Sequence, residues 1–576
     1  MALRPMLCSA RRSRGYAWWW GLRILLVQAP TLPEPVPLLL PDTYRCFGSD
    51  VDASGEGIPL GSRGSASRVG RVANIHGQRK QAKAEPLLSP FDDRGETEPR
   101  EECGVFGVWA PGEDVSKLTY YGLYALQHRG QEAAGIAVGD GDQIVVFKDL
   151  GLVSQVFDEQ SLEALKGHIG MGHNRYTTAG GNSWENAQPM FRMAPDGTDV
   201  ALGHNGNLVN HRELTQEAAR LGLVDPKENP SDSLVMCALL AAATREGHGV
   251  EEAAMELFPK VKGAFCVLFT DGDALYAARD PHGVRPLSIG QLAGGGWVVA
   301  SETAALDIVG ARFVRDVEPG ELVIVDGDGV RSRRFAETTH KGCVFEYVYL
   351  ARPDSVIRGR SVNGTRLEIG RKLAEEAPAD GDLVIPVPES GTPAAVGYAQ
   401  ASHIPFGQGL MKNAYVGRTF IQPSQTIRQL GIRLKLNPLR EVIEGKRLVV
   451  VDDSIVRGNT QRALIKMLRE AGAKEVHVRI ASPPVKWPCF YGIDFASPAE
   501  LIANNVDPED PVEGIRQEID ADSLAFVSTE AMIEASQQNS DELCAACFDG
   551  VFPLGMPSDN PNAALVETML KQQAKN

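Results

Sequence analysis

The sequence has no surplus of basic residues and, after its amino-terminal segment, no apolar run long enough to span a membrane. Its formal net charge is -16, and so acidic a chain lacks the basic face that general nucleic-acid binding requires. Its 9 cysteines are odd in number and scattered, which is unlike the framework of a small disulfide-rich secreted protein. These absences argue against membrane-spanning, nucleic-acid-binding and disulfide-scaffold classes.

The amino-terminal segment is rich in arginine and poor in acid. Several arginines precede Glu34, the first acidic residue, and a run of tryptophans stands among serines and alanines. This composition predicts that residues 1–90 are an organelle transit peptide and disordered leader. We expect a chloroplast (plastid stroma) location, with the mitochondrion as the second choice. The alternative is a secretory signal centred on Ala17 to Val27, an apolar stretch that Arg23 interrupts.

The first region of regular structure is predicted between residues 103 and 336. Short alternating apolar segments separated by turns indicate strands, and two longer periodic segments indicate helices. The predicted strands lie at 143–147, 297–300 and 321–325, and the predicted helices at 116–128 and 232–245. This pattern is typical of an α+β domain with a mostly antiparallel sheet.

A different pattern is found between residues 337 and 535. Short apolar runs lie at 383–385 and 448–451, and the second is followed by a loop, a helical segment and an alternating run at 476–480. Strand, loop, helix and strand form a βαβ unit, so this domain is predicted to be α/β with a parallel sheet. Residues 536–576 are expected to form a helical carboxyl-terminal segment.

Cys103 stands where the first domain begins, in the segment EECGVFG (101–107). A cysteine exposed by cleavage would have a free α-amino group, which is a built-in general base for its thiol. Taken alone, the segment also fits a buried strand with an inert cysteine. It is followed in order by QHRGQEAAG (127–135), HNRYTT (173–178), HNGNL (204–208), SDS (231–233) and RDPHGVRP (279–286).

These ordered motifs resemble the class II, or N-terminal-nucleophile, glutamine amidotransferases. The resemblance implies an α+β N-terminal-nucleophile hydrolase domain with four αββα layers for residues 103–336. It also implies that Cys103 attacks the carboxamide of glutamine. The side chain of Asn205 and the backbone N–H of Gly206 would form the oxyanion hole.

The same resemblance assigns three residues to glutamine binding. Arg175 would hold the α-carboxylate by a bidentate contact, and Asp232 would pair with the α-ammonium group. Arg129 would belong to this site and fix the loop around the nucleophile. Each residue also has an ordinary explanation, since a lone arginine is usually solvated and Asp232 is placed to cap a helix after Ser231.

The segment LVVVDDSIVRGNT (448–460) combines an apolar strand, two aspartates and a loop that contains glycine. The strand delivers Asp452 and Asp453 to its carboxyl end, where open α/β sheets bind ligands. The loop leads into a helix amino terminus, which suits a phosphate, and the neighbouring carboxylates suit ribose hydroxyls or Mg²⁺. The alternative is an acidic turn before a capped helix.

This segment resembles the phosphoribosyl pyrophosphate (PRPP) loop of type I phosphoribosyltransferases, and implies an α/β domain of that type. Asp452 and Asp453 would bind ribose hydroxyls and one Mg²⁺ per subunit. The loop would contact PRPP and its 5-phosphate through Ser454, Arg457, Gly458, Asn459 and Thr460. Ser390, in PVPESGT (386–392), is a candidate ligand near the metal, and Lys412 opens a basic segment that suits polyanionic PRPP.

Four of the cysteines lie in the second half, and they are Cys343, Cys489, Cys544 and Cys547. The last two form a CxxC pair, which in an intracellular protein is redox-active, metal-binding or accidental. Four thiolates are the usual ligands of a 4Fe-4S cluster and also suit Zn²⁺. Spacing alone does not decide between the two, because the first two cysteines are remote in sequence.

Together, the motifs between residues 103 and 550 resemble the amidophosphoribosyltransferase family, in its iron–sulfur subgroup and in members with a plant or algal transit peptide. The resemblance implies one 4Fe-4S cluster per subunit on the four cysteines, a propeptide at 91–102 and a homo-oligomer. It implies formation of 5-phosphoribosylamine, glutamate and pyrophosphate from glutamine, PRPP and water. This is the first step of de novo purine (IMP) biosynthesis, with purine nucleotides as inhibitors.

Three rival functions stay open on the sequence. Another class II amidotransferase would not need the Asp452–Asp453 loop. A non-catalytic PRPP-sensing regulator would not need Cys103, Arg175 and Asn205. An iron–sulfur redox protein is the third, although the sequence shows no signal for an electron-transfer partner.

Overall fold

The computed structural model describes residues 103–176, 183–245, 247–413, 435–493, 495, 497–558 and 560–573. The predicted transit peptide and propeptide lie outside these residues, as does the part of the basic segment from 414 to 434. Within the described ranges, no helix has both the length and the apolar character needed to cross a lipid bilayer.

The first half contains two antiparallel sheets and a set of helices. The strands are β1 (Gly104–Trp109), β2 (Ala133–Gly139), β3 (Ile144–Leu150), β4 (Ile169–Arg175), β5 (Met190–Met193), β6 (Asp199–Leu208), β7 (Gly263–Thr270), β8 (Leu275–Arg279), β9 (Ser288–Gln291), β10 (Trp297–Ala300), β11 (Arg312–Asp316), β12 (Glu321–Asp326) and β13 (Gly329–Arg334). The helices are α1 (Val115–Ala125), α2 (Val153–Val156), α3 (Glu159–Ala164), α4 (His211–Arg220), α5 (Asp232–Ala243), α6 (Val250–Leu257) and α7 (Thr303–Ile308). The sheet orders are β11-β9-β10-β1-β4-β2-β3 and β13-β12-β8-β7-β6-β5.

The two sheets face each other across a shared apolar core. Val105 and Met171 from the first sheet meet Leu268 and Val323 from the second. Helices α1 and α7 cover the outer face of the first sheet, and α4, α5 and α6 cover that of the second. Because β7 is buried on both faces, its segment GAFCVLFT is apolar except for the last residue. The domain therefore has the four αββα layers that the resemblance to N-terminal-nucleophile hydrolases implies.

The second half is built on a parallel sheet. Its strands are β14 (Gly342–Cys343), β15 (Val356–Ile357), β16 (Arg360–Ser361), β17 (Leu383–Pro386), β18 (Leu410–Lys412), β19 (Leu436–Pro438), β20 (Arg447–Asp452), β21 (Glu475–Ile480), β22 (Ser523–Phe526) and β23 (Leu543–Cys544). Its helices are α8 (Val362–Glu376), α9 (Thr392–Ser402), α10 (Arg440–Ile443), α11 (Asn459–Glu470), α12 (Pro511–Ile519), α13 (Thr529–Ser536), α14 (Ala546–Asp549) and α15 (Pro561–Gln573), and Glu346–Leu350 is a π-helical turn. The parallel order is β17-β20-β21-β22.

The register of this sheet aligns the ends of two strands. Pro386 at the end of β17 pairs with Val451 near the end of β20, and Val387 N donates to Val451 O at 2.9 Å. The residues that follow both strands therefore meet at one sheet edge, where α/β folds bind ligands. The predicted apolar face of α11 is buried against the sheet, as Leu464 and Leu468 are fully enclosed.

The carboxyl-terminal segment packs into the core of the second half. Strand β23 pairs in parallel with β14, which places Cys544 opposite Cys343. Val566 in α15 is fully buried in the same core as α8 and α9. The described residues between 536 and 573 thus combine a 3₁₀ turn, a short strand and two α-helices.

Candidate active site

Cys103 precedes β1, in the centre of the first sheet. Gly104 pairs with Asn174, so antiparallel pairing brings the start of β1 beside the end of β4. The Cys103 Sγ donates to the backbone oxygen of Tyr176, 3.5 Å away, and the cysteine is buried. The predicted nucleophile and Arg175 therefore lie at one end of neighbouring strands.

Asn205 and Gly206 lie in β6 of the facing sheet. Asn205 is fully buried, and neither its Nδ2 nor its Oδ1 has a hydrogen-bond partner among the described residues. Leaving such a group unpaired costs about 1–3 kcal/mol, which is typical of an atom reserved for a ligand. Gly206 has φ +140°, and an added Cβ would lie 2.1 Å from Ala264 O, so glycine is required here.

A hydrogen bond links β6 to the strand that carries Arg175. The Nε2 of His173 lies 2.9 Å from the backbone oxygen of His204. Burial lowers the pKa of His173 to about 3, so its ring is neutral and Nε2–H donates. This contact fixes the separation between the two sheets beside the nucleophile.

Asp232 begins α5, and Ser231 caps that helix by accepting from Leu234 N at 3.3 Å. Asp232 Oδ1 accepts from Ser233 N at 2.7 Å, and its Oδ2 lies 3.6 Å from His204 Nδ1. Burial raises the pKa of Asp232, but the charge and hydrogen bonding of His204 outweigh burial and lower it to about 2. The carboxylate is ionised and suits an ammonium group.

Arg129 contacts two buried carboxylates. Its Nε donates to Glu302 Oε1 and its Nη2 donates to Glu346 Oε2, both at 2.5 Å. These contacts favour the loop-fixing role of Arg129 over direct contact with glutamine. The sequence reasoning gave no role to Glu302 or Glu346, because no local pattern marks either glutamate as buried.

Asp452 and Asp453 are buried at the carboxyl edge of the parallel sheet. Asp452 Oδ1 accepts from Asp453 N at 2.9 Å, and its Oδ2 accepts from the Gln461 side chain. Asp453 Oδ1 accepts from Ser454 Oγ at 2.6 Å. Gln461, one residue beyond the quoted segment, was not singled out on the sequence.

Arg366 is a second residue that the sequence reasoning missed at this site. Burial lowers the pKa of this guanidinium, and Asp453 is the largest of the charges that oppose the effect. Its Nε and Nη2 donate to the backbone oxygens of Tyr347 and Ala351, both at 2.8 Å. It therefore binds the π-helical turn, and its charge interacts with that of Asp453.

The loop after the aspartates leads into α11 as predicted. Gly458 caps this helix with φ +76°, and an added Cβ would lie 2.4 Å from Ile502 Cδ1. Asn459 and Thr460 form its first turn, and Arg457 Nη2 lies 3.5 Å from Glu500 Oε1. The backbone N–H groups of this turn suit a phosphate.

Ser390 and Lys412 lie in segments that border the same strand ends. Ser390 is half-buried in the turn between β17 and α9. An added Cβ at the next residue, Gly391, would lie 3.1 Å from Asp452 Cα, which brings this turn onto the aspartate edge. Lys412 is exposed, and its Nζ lies 3.8 Å from Glu389 Oε2.

The four predicted cluster ligands line one pocket, together with Tyr491, Phe552 and neighbouring residues. Burial raises the pKa of the Cys544 thiol to about 12. Burial also raises the pKa of Cys547 well above its usual value, and the nearby thiols of Cys343, Cys544 and Cys489 add to the rise. In the described ranges, no group of three or more Cys, His, Asp or Glu residues is arranged around one point as a single metal ion requires.

Family models match both halves of the chain. A glutamine amidotransferase domain matches residues 173–307, and a phosphoribosyl transferase domain matches residues 366–482. The amidophosphoribosyltransferase of Mycobacterium tuberculosis is 68% identical over 482 residues, which is 83% of this chain and 91% of that protein. The Bacillus subtilis amidophosphoribosyltransferase is 46% identical over 476 residues, covering 82% of this chain and 98% of that protein.

A solved structure is similar over the same range. It is glutamine PRPP amidotransferase from B. subtilis, complexed with ADP and GMP. The TM-score is 0.74 at 44% identity, and the match covers 80% of this chain and 100% of that one.

The fold and the two sites define a class II glutamine amidotransferase domain joined to a type I phosphoribosyltransferase domain. The Arg129–Glu346 contact ties the first half to the second. The chain belongs to the amidophosphoribosyltransferase family.

Proposed function

We infer that this chain is an enzyme that takes ammonia from glutamine and joins it to C1 of PRPP, forming 5-phosphoribosylamine, glutamate and pyrophosphate. The reaction is the first step of de novo purine biosynthesis. The observation that carries the inference is the 68% identity to an amidophosphoribosyltransferase, which spans both halves of the chain. The unpartnered amide of Asn205 and the paired aspartates at the sheet edge give each half a site suited to its share of the reaction.

In the first half-reaction, the thiol of Cys103 attacks the carboxamide carbon of glutamine. Its own α-amino group, freed by removal of residues 91–102, takes the thiol proton and passes it to the leaving ammonia. Negative charge develops on the carboxamide oxygen and is stabilised by Asn205 Nδ2 and Gly206 N. Such preorganised donors are worth about 3 kcal/mol each, and water then hydrolyses the thioester to glutamate.

Two charges of opposite sign orient the substrate. Asp232 is held ionised beside His204, which supports its pairing with the α-ammonium group. Arg175 is buried at the end of β4, next to the nucleophile, where a guanidinium fork fits the α-carboxylate. Glutamine is thereby fixed at both ends of its backbone, so that only its carboxamide reaches Cys103.

In the second half-reaction, Asp452 and Asp453 bind the ribose hydroxyls of PRPP, and the loop from Ser454 to Thr460 holds the 5-phosphate. The two carboxylates and the hydroxyl of Ser390 are hard oxygen donors of the kind that Mg²⁺ takes, usually with water and substrate phosphates completing its shell. When bound, this ion neutralises charge on pyrophosphate. Lys412, exposed at the same site, adds positive charge to the binding of the leaving group.

We also propose that Cys343, Cys489, Cys544 and Cys547 hold one 4Fe-4S cluster. The four cysteines line one pocket, so one shared group can contact all four, and four thiolates are the usual ligands of a 4Fe-4S cluster. Tyr491 N donates to Cys489 Sγ at 3.3 Å, a contact that stabilises a thiolate.

We also propose that purine nucleotides inhibit the enzyme and that the chain forms a homo-oligomer. ADP and GMP in the B. subtilis relative support inhibition by purine nucleotides at the PRPP site. A homo-oligomer is proposed from the family, and light scattering of the purified chain tests it.

The arginine-rich composition of residues 1–90 supports a plastid transit peptide. Import of a fusion carrying these residues into isolated plastids, with mitochondria as the comparison, tests that location.

The function is tested by incubating the purified chain with glutamine, PRPP and Mg²⁺. We expect glutamate and pyrophosphate in equal amounts, and ammonia in place of glutamine should also release pyrophosphate. A PRPP-sensing regulator would bind PRPP without releasing either product. Another class II amidotransferase would release glutamate without consuming PRPP.

A further inference from the structure

We propose that Glu346, a residue of the phosphoribosyltransferase half, positions the nucleophile loop of the glutaminase half through Arg129. The proposal rests on the proposed function. Glu346 opens the π-helical turn and is almost completely buried. Its Oε2 accepts from Arg129 Nη2 at 2.5 Å, and its Oε1 lies 3.6 Å from Arg285 Nη1. One carboxylate of the second half therefore separates two buried guanidinium groups of the first.

Arg129 packs directly against the nucleophile segment. A methyl group added at Gly104, which follows Cys103, would lie 3.4 Å from Arg129 Cβ and 3.6 Å from its Cδ. Gly130, which follows Arg129, packs against the end of β4, since an added Cβ there would lie 2.8 Å from the carbonyl carbon of Arg175. A shift of Arg129 would therefore displace both the thiol and the residue proposed to bind glutamine.

The other carboxylate on Arg129 is fully engaged already. Glu302 Oε1 lies 2.6 Å from His128 Nε2 and accepts from Arg129. Its Oε2 accepts from the backbone N–H of Arg352 at 2.9 Å and from Ser355 Oγ at 2.6 Å. Glu302 thus has no spare oxygen with which to replace Glu346.

Neutralising Glu346 removes the carboxylate that Arg129 and Arg285 share. Like charges repel strongly when water is excluded, so Arg129 moves and carries its loop with it. The turn itself is held by Arg366, through the backbone oxygens of Tyr347 and Ala351. Loss of the Glu346 charge therefore displaces Arg129 and the segment at Cys103 and not the π-helical turn, because Arg366 still holds that turn.

The test compares Glu346→Gln with the matched variant Glu321→Gln. Glu321 is also buried and binds Arg315 through both oxygens at 2.8 Å, in contacts that include neither Arg129 nor Glu346. Amine formation is measured with glutamine and with ammonia, together with alkylation of Cys103 by a diazoketone analogue of glutamine.

For Glu346→Gln we expect kcat with glutamine to fall by about tenfold to a hundredfold, the size of effect produced by a shift of about 1 Å at a reacting group. Alkylation of Cys103 should slow in parallel. KM for glutamine should rise, because Arg175 is displaced as well, and the rate with ammonia should stay unchanged. Glu321→Gln should change none of these values.

Equal losses with glutamine and ammonia in Glu346→Gln, or no loss with either, would overturn the proposal. Glu346→Asp keeps the charge and should recover part of the glutamine rate. If Glu346→Gln does not fold, Glu346→Asp decides alone, and its glutamine rate must fall more than its ammonia rate. Failure of the proposed function is distinct, because the unaltered chain would then form amine from neither nitrogen donor.

Discussion

The side-chain amide of Asn207 donates a hydrogen bond to the backbone oxygen of Phe490, 3.0 Å away. Asn207 lies in β6, two residues after Asn205, and Phe490 directly follows Cys489. Arg285 reinforces this contact by donating from Nη2 to Tyr491 O at 2.8 Å. The strand of the proposed oxyanion hole is therefore tied to the segment that carries a proposed cluster ligand.

Replacing Cys547 by alanine should remove the proposed cluster, because three thiolates do not complete the usual four-thiolate set. Protein purified without oxygen should contain about four iron atoms per chain and absorb visible light, and Cys547→Ala should lose both properties. Cys237→Ala is the matched control, since Cys237 is also fully buried but lies in α5. Equal iron content in the two variants would contradict the ligand assignment.

Replacing Asn205 by alanine should lower kcat with glutamine by about 10²–10³ and leave the rate with ammonia intact, because one oxyanion donor is lost. Asn210→Ala is the control. The Asn210 amide is already satisfied, since it donates to Lys260 O at 3.0 Å and accepts from Lys262 N at 2.9 Å. That control should lower the unfolding temperature without a selective loss of the glutamine reaction. Steady-state rates with the two nitrogen donors separate these effects.

Replacing Asp232 by asparagine should raise KM for glutamine. A charge-assisted hydrogen bond contributes about 1.5–3 kcal/mol, or about ten- to a hundredfold in affinity. Because the pKa of Asp232 is lowered to about 2, its carboxylate stays ionised at every pH at which the enzyme is assayed. Asp232 should thus add no pH dependence to KM. The exposed Asp225, replaced in the same way, should leave KM unchanged.

Replacing Asp453 by asparagine should abolish most amine formation with either glutamine or ammonia, while Cys103 still reacts with the diazoketone. The reason is that the carboxylate is proposed to contact ribose and Mg²⁺, and an amide binds Mg²⁺ poorly. Asp382→Asn is the control, because Asp382 precedes β17 at the opposite end of the sheet and pairs with Arg447. Retained synthesis in Asp453→Asn would contradict the acceptor site.

Glu302→Gln should lower the free energy of unfolding by about 3–5 kcal/mol, because it leaves the buried Arg129 with one carboxylate fewer. Burial raises the pKa of Glu302, but the charges of His128 and Arg129 dominate and hold it well below its usual value. The stabilisation is present above the unfolded pKa of about 4.3 and is lost as the pH falls toward the folded pKa. Urea unfolding at several pH values should show that the unfolding free energies of the unaltered chain and of Glu302→Gln become more similar as the pH falls. Glu513→Gln, at an exposed ion pair, should change nothing.

Local patterns in the sequence predicted several of the strands and helices. The apolar run at 448–451 lies within β20, and the periodic residues after it form α11. The run at 297–300 is β10, and the helix expected at 232–245 is α5. These elements were predictable because their periodicity follows from burial on one or both faces.

The sequence by itself marked the candidate residues for chemistry, because a cysteine, an oxyanion motif and paired aspartates each have a local signature. It did not reveal Glu302 or Glu346, since an isolated glutamate has no pattern that marks it as buried. Only the tertiary structure placed both on Arg129, 173 and 217 residues away in sequence. The contact with Glu302 arises from packing within the first half and the contact with Glu346 from packing between the halves, and only packing can hold so many charges away from water.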